Sequence, residues 1–208
     1  RSRDPYTVGY GATECAPIIC YRDWHTFAQG SCGRAALNQK VEIDSPDPRR
    51  IPGEILTKGP NVMLGYYKNP EATAETIDSE GWYHTGDLGT MDQDGNVYIN
   101  GRSKNMLLGP NGQNIYPEEI EDKLNSMAMV MESIVVQRDT KLVALVHPDM
   151  EEAKNMGFSI DDLKSIMDQN LSGLNELIPA YEKISEIVIH EEEFEKTPKK
   201  SIKRYLYT

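Results

Sequence analysis

The sequence predicts an α+β protein in two parts: a small β-rich, distorted barrel-like subdomain over residues 1–102 and a compact α+β domain over residues 103–208. Three observations predict it. Before Asn100 the chain is a series of short extended runs broken by Gly and Pro, with few helical periods. After Asn105, helical and strand periods alternate in a regular order. Between them, Asn100-Gly101-Arg102-Ser103-Lys104-Asn105 is the stretch where the chain changes character, and it is the hinge candidate.

At 208 residues and 38% hydrophobic, the chain can bury a core without disulfides or metal. No run approaches the roughly 18 apolar residues of a membrane span. Arg1-Ser2-Arg3-Asp4-Pro5 lacks the apolar core of a signal peptide, so a cytoplasmic location is expected. Cys15, Cys20 and Cys32 match no zinc spacing and read as buried, reduced thiols. The net charge of -11 disfavours attraction to a phosphate backbone, so nucleic acid is not an expected partner. One local exception is the segment from Lys196 to Arg204, with five basic residues directly after Glu191-Glu192-Glu193. Its charge pattern alone reads as a solvated face.

Taken in order, the first element is an apolar approach into Gly9-Tyr10-Gly11-Ala12-Thr13-Glu14. Glycines flanking an aromatic let backbone pass close to a planar ligand. Thr13 and Glu14 then offer a hydroxyl for a phosphate oxygen and a hard oxygen ligand for Mg²⁺. A plain strand-end turn accounts for the same residues. Residues 41–43 and 54–57 are short strands set off by Pro46, Pro48, Pro52 and Gly53, with another turn at Gly59-Pro60-Asn61. Asn69 before Pro70 predicts a short surface helix over 69–77.

Gly81-Trp82-Tyr83-His84-Thr85-Gly86-Asp87-Leu88-Gly89 is the densest polar and aromatic cluster in the chain. An Asp just after a glycine turn can accept from two neighbouring hydroxyls, which suits a ribose diol; it can equally cap the turn. His84 has no Ser, Cys or metal-ligand partner at a useful spacing and reads as structural. Asp94-Gly95 before Val97-Tyr98-Ile99 predicts a hairpin rather than a calcium loop, because the terminal glutamate of such a loop is missing.

Beyond the hinge candidate, Gly109-Pro110-Asn111-Gly112 predicts a tight loop and residues 113–116 a brief strand. Pro117 opens a helix with Glu118 and Glu119 in its first turn, where the helix dipole favours acids, and with Ile120, Leu124 and Met127 on one face. Strands over 133–138 and 141–147 follow, joined at Asp139-Thr140. Ser159 with Asp162 caps a longer helix with a buried stripe of Ile160, Leu163, Met167, Leu171, Leu174 and Ile178. Pro179 ends it, and 184–189 is the last strand. The predicted order is strand, helix, strand, strand, helix, strand.

In order and spacing these motifs resemble the adenylate-forming superfamily of acyl-CoA synthetases, adenylation domains and luciferases, and most of all its long-chain fatty acid CoA ligases. The resemblance rests on Tyr10-Gly11-Ala12-Thr13-Glu14, Gly53-Glu54-Ile55 through Gly65-Tyr66-Tyr67, Trp82 to Asp87, and Gly101-Arg102-Ser103-Lys104, and it runs over nearly the whole chain.

The resemblance implies that Tyr10 lies against adenine, Thr13 contacts the α-phosphate and Glu14 binds Mg²⁺. Asp87 would hold the ribose hydroxyls with Arg102 nearby, and Lys104 would be the hinge of a C-terminal lid. It further implies a carboxylate substrate, a fatty acid or another, that attacks ATP to give an acyl-adenylate and pyrophosphate. Coenzyme A then displaces AMP, with the loop from Gly109 to Pro117, Gly112 within it, lining the thiol's approach. The lid would supply a lysine to the first step, where charge concentrates on the α-phosphate oxygens.

Three departures from the family's pattern stand out. Ile202 on the tail's apolar position leaves Ser201 where the lysine usually stands. Lys200 is then the expected catalytic lysine, with Lys199 and Lys203 as alternatives. Leu108 replaces a lysine common after the hinge. The phosphate-gripping loop and the acyl pocket are not in the sequence, so the chain reads as the C-terminal part of a longer enzyme, inactive without its N-terminal part. Two alternatives stay open: a nucleotide-binding module without chemistry, and an enzyme that passes the acyl group to a carrier protein.

Overall fold

The computed structural model describes residues 7–22, 28–109, 112–198 and 200–208. Pro110 and Asn111 of the predicted tight loop, Lys199, and the N-terminal five residues lie outside them. The chain divides into two compact units, residues 1–104 and 105–208.

The first unit is built from two open antiparallel sheets. Strands β1 (Val8–Gly11), β2 (Ile18–Arg22) and β3 (Arg34–Ala35) pair in sequence order. Strands β4 (Lys40–Asp44), β5 (Gly53–Lys58), β6 (Tyr83–Met91) and β7 (Val97–Arg102) form a four-stranded meander. The two sheets share a core of Ile19, Cys20, Cys32, Ile43, Ile55, Tyr83 and Val97, and Gly33 bridges to Val97. All three cysteines are buried there as thiols. The expected β-rich unit is present, and neither of its sheets closes on itself among the described residues. Strand β1 hydrogen-bonds only to β2 and strand β4 only to β5, so both sheets keep free edges.

Helix α1 (Pro70–Thr76) has Asn69 as its cap, the side chain accepting from the Ala72 amide at 3.1 Å, and it buries no residue. The turn between β6 and β7 is the predicted hairpin. The Asp92 carboxylate accepts the amides of Asp94 and Asn96, so the turn's own backbone occupies the oxygens a cation would need.

In the second unit, β8 (Leu107–Leu108) and β9 (Asn114–Ile115) make a small ribbon. Helix α2 (Pro117–Leu124), strands β10 (Val130–Arg138) and β11 (Lys141–Pro148), helices α3 (Met150–Met156) and α4 (Ile160–Leu177), and strand β12 (Ile184–Ile189) follow. Sheet order is β10-β11-β12, antiparallel across the Asp139-Thr140 turn and parallel after the helical crossover. The predicted order is present with α3 added. That helix carries its own signals, an Asp149 cap accepting from Glu152 and a Gly157 stop at positive φ.

Alternation along β10 and β11 serves two cores. Val135, Leu142, Ala144 and Val146 pack with α2 and α4, while Ile134, Val136, Val143 and Leu145 pack under Phe194, Ile202 and Tyr207 of the tail. A three-stranded sheet is thus covered on both faces, and each fully buried aliphatic contributes about 1.5–3 kcal/mol. The tail is therefore a structural layer rather than a solvated strip. The α4 stripe starts at Leu163, not Ile160. Ile160 is 38% exposed and lines a surface groove beside β12 with Lys164. Met127 packs on the core from beyond the end of α2, which stops at Leu124.

Candidate active site

In the first unit the site is organised by an irregularity in β6. Opposite β5, Leu56 faces His84 while Glu54 faces Leu88, so Thr85, Gly86 and Asp87 together face Ile55 alone. Two extra residues break the ladder, and side chains replace its bonds. The Thr85 hydroxyl donates to the Ile55 carbonyl at 2.8 Å and accepts the Asp87 amide at 3.0 Å. Glu54 accepts the Gly86 amide at 2.8 Å and meets His84 Nδ1 at 2.9 Å. Gly86 has φ +71, a conformation that only glycine adopts without penalty. Glu54 and Thr85 were legible only as a strand residue and a motif letter; their work as supports of the bulge appears with the register.

The bulge sets Asp87 directly across from Arg102 of β7. Arg102 Nε lies 3.0 Å from Asp87 Oδ1, and Tyr10 donates its hydroxyl to Asp87 Oδ2 at 2.6 Å. Arg102 also donates to the Thr85 carbonyl. Tyr10, Asp87 and Arg102, far apart in sequence, are thus one hydrogen-bonded group. Burial, and then the carboxylate it serves, hold the Tyr10 hydroxyl well above its usual range, so it stays a donor. A carboxylate has about four acceptor positions, and these two bonds leave about two for an incoming diol.

Thr13 and Glu14 sit in a single 3₁₀ turn, Thr13–Cys15, between β1 and β2. Thr13 is exposed, and Glu14 Oε1 accepts from the Tyr66 hydroxyl at 2.9 Å. Burial, and then the charge of Glu14, raise the Tyr83 hydroxyl as well. The smallness of Gly11 serves the fold itself. A Cβ there would sit 1.9 Å from the Pro17 carbonyl oxygen, so the glycine admits the chain's own backbone across the β1–β2 bulge. Lys104 is exposed in a second 3₁₀ turn, Ser103–Asn105.

The second unit holds Gly112 and Lys200. Gly112, at φ +78, donates its amide to the Gly109 carbonyl and so closes the loop between β8 and β9. Lys200 sits at φ +63 in a turn closed by Thr197 N to Ser201 O at 2.8 Å and flanked by a bridge between Lys196 and Ile202. The basic run sorts itself by pairing. Lys196 meets Glu132 at 2.6 Å, Lys203 meets Glu195 at 3.0 Å, and Arg204 pairs with Glu121. The partner carboxylates raise both lysines above their ordinary range. Lys200 alone among the described basic residues of this run has no ion pair, and it is exposed at the turn.

Comparison with known proteins agrees across the chain. A family model described as AMP-binding enzyme matches residues 2–67, and one described as AMP-binding enzyme C-terminal domain matches residues 104–207. YngI of Bacillus subtilis (strain 168), which carries an acyl-CoA synthetase name, is 33% identical over 207 residues, 96% of this chain and 36% of YngI. A long-chain-fatty-acid–CoA ligase of Salmonella typhimurium is 40% identical over 136 residues, 62% of this chain and 23% of the ligase. The crystal structure of ATP-bound MatB from Rhodopseudomonas palustris superposes with a TM-score of 0.77 at 26% identity, over 96% of this chain and 39% of MatB. The chain spans little more than a third of these relatives at most. In the described residues no helix is long and apolar enough to cross a membrane. The chain belongs to the AMP-binding, adenylate-forming enzyme family that includes the acyl-CoA synthetases.

Proposed function

We propose that this chain forms the C-terminal portion of an AMP-forming acid–CoA ligase. In the first step a carboxylate oxygen attacks the α-phosphorus of ATP and the bond to pyrophosphate breaks. In the second, the coenzyme A thiol loses its proton, its sulfur attacks the acyl carbon, and AMP leaves. The observation that carries the reading is Asp87, a carboxylate oriented by Tyr10 and Arg102 with acceptor positions to spare for a ribose diol.

In this reading Tyr10 lies against the adenine, Thr13 contacts the α-phosphate, and Arg102 keeps Asp87 aimed. Glu14 is the Mg²⁺ ligand. One carboxylate fits the way Mg²⁺ is commonly held, with phosphate and water oxygens completing its shell. When bound, the ion neutralises phosphate charge. Lys200, the one cation without an ion pair among the described residues of its run, supplies the positive charge that the first step demands. The loop holding Gly112 serves the thiol step, and Lys104 is the pivot between the two arrangements. A fatty acid is the proposed substrate on the strength of the Salmonella relative, and coenzyme A rather than a carrier protein the proposed acceptor.

The test is ATP–pyrophosphate exchange in the intact protein that carries this chain, across carboxylates of different length. Asp87→Ala and Lys200→Ala should abolish it. Normal exchange in both variants would sink these assignments, and thioester formed on a phosphopantetheine carrier but not on coenzyme A would change the acceptor.

A further inference from the structure

Strand β10 is an edge of its sheet, and an edge strand presents peptide groups that need partners. At Val135 those partners are two charged side chains from opposite faces. Glu121 of α2 accepts the Val135 amide at 2.6 Å, and Arg204 of the tail donates Nη1 to the Val135 carbonyl at 3.3 Å. The two side chains also pair with each other through Arg204 Nη2. Glu121 is buried and Arg204 nearly so, at 6% residue and 18% side-chain exposure. A buried carboxylate and guanidinium need each other and every available hydrogen bond, and both are supplied here.

The same pair reaches the hinge end of the unit. Arg204 Nη2 lies 3.9 Å from Glu118 Oε1, which accepts from Asn105 Nδ2 at 2.6 Å. Arg204 is two residues beyond Ile202, the anchor of the turn that carries Lys200.

We propose that Glu121 and Arg204 are positioning residues: they clasp the tail across the edge of β10 and so fix the turn that presents Lys200. The reasoning is geometric. Ile202 and Phe194 hold the tail to the sheet by non-directional packing, and the Lys196–Glu132 ion pair ties the turn to β10 on its N-terminal side alone. The bonds of Arg204 to Val135 and Glu121 are directional and set its register. Its functional half rests on the reading of Lys200 given above.

Hydrogen exchange on the protein tests the clasp without reference to activity. The amides of Thr197, Lys200 and Lys203 are bonded within the turn, to Ser201, Thr197 and Glu195. In Glu121→Gln they should exchange about tenfold faster, the effect of weakening one charge-assisted bond. The amides of Val143 and Leu145 in the sheet centre should be unchanged. Arg204→Lys keeps the charge but loses the fork, and it provides a milder variant should Glu121→Gln unfold. Unchanged exchange at the turn in both variants overturns the clasp.

Kinetics on the intact protein then test its purpose. Pyrophosphate exchange should fall about tenfold in the same variants, the size of the lost bond, while thioester formation from preformed acyl-adenylate stays within about twofold. A loosened turn with unaltered pyrophosphate exchange overturns the positioning role and with it the assignment of Lys200, while leaving the clasp's geometry intact. An equal loss in both half-reactions also overturns it, because it would mark Glu121 and Arg204 as merely structural.

Discussion

Replacing Thr85 by Val tests whether the Asp87 bulge is held by one hydroxyl. The two side chains have nearly the same shape, and Thr85 is 7% exposed, so packing hardly changes. What changes is the loss of Oγ1, which leaves the Ile55 carbonyl and the Asp87 amide without their partner. An unsatisfied buried polar group costs about 1–3 kcal/mol. Two such groups, partly relieved by water at the bulge, place the loss at about 2–4 kcal/mol. Thr85→Ser keeps both bonds and loses one methyl, about 1 kcal/mol. Trp82 directly precedes β6, so tryptophan fluorescence in urea follows the first unit. Thr85→Val should unfold at lower urea than Thr85→Ser and bind AMP more weakly by calorimetry. A valine variant as stable as the serine one would refute the reasoning, because the hydroxyl would then hold nothing.

Three further outcomes follow from single residues. Gly11→Ala places a Cβ 1.9 Å from the Pro17 carbonyl oxygen, so β1 and β2 must part, with a loss of about 1–3 kcal/mol or more in the same fluorescence assay. The Ser159 hydroxyl and amide hold the Asp162 carboxyl below its usual range. A depressed carboxyl contributes stability that is present above its unfolded value and lost as pH falls through its folded value, so Asp162→Asn should flatten the acid limb of thermal stability below about pH 4. Lys104→Pro fixes φ at the proposed pivot, and half-reaction kinetics should show one step impaired far more than the other; equal loss would make it a plain linker.

Much of this architecture is written locally. Pro117 with Glu118 and Glu119, Asn69 with Pro70, and Ser159 with Asp162 mark helix starts because a cap or a fixed φ acts on its immediate neighbours. Asp94-Gly95 marks its hairpin for the same reason. The Asp149 to Gly157 helix carried equal signals and is simply short. Other features depend on pairing register, which no local pattern fixes. That Thr85, Gly86 and Asp87 face Ile55 alone, or that Glu54 serves the Gly86 amide, follows from how β5 and β6 align. The tail misled for a related reason. Its lysines dominate the pattern, yet Phe194, Ile202 and Tyr207, spaced too irregularly for either period, cover a sheet face. Ion pairing then separates Lys200, the lysine expected from the sequence, from Lys203, one of its two alternatives.

The most direct measurement of the central claim is the product balance of the intact protein given ATP, a fatty acid and coenzyme A. The account predicts AMP and pyrophosphate released in equal amounts with one thioester formed for each, and no turnover in Asp87→Ala. Release of ADP and phosphate, or thioester formed without ATP cleavage, would contradict it.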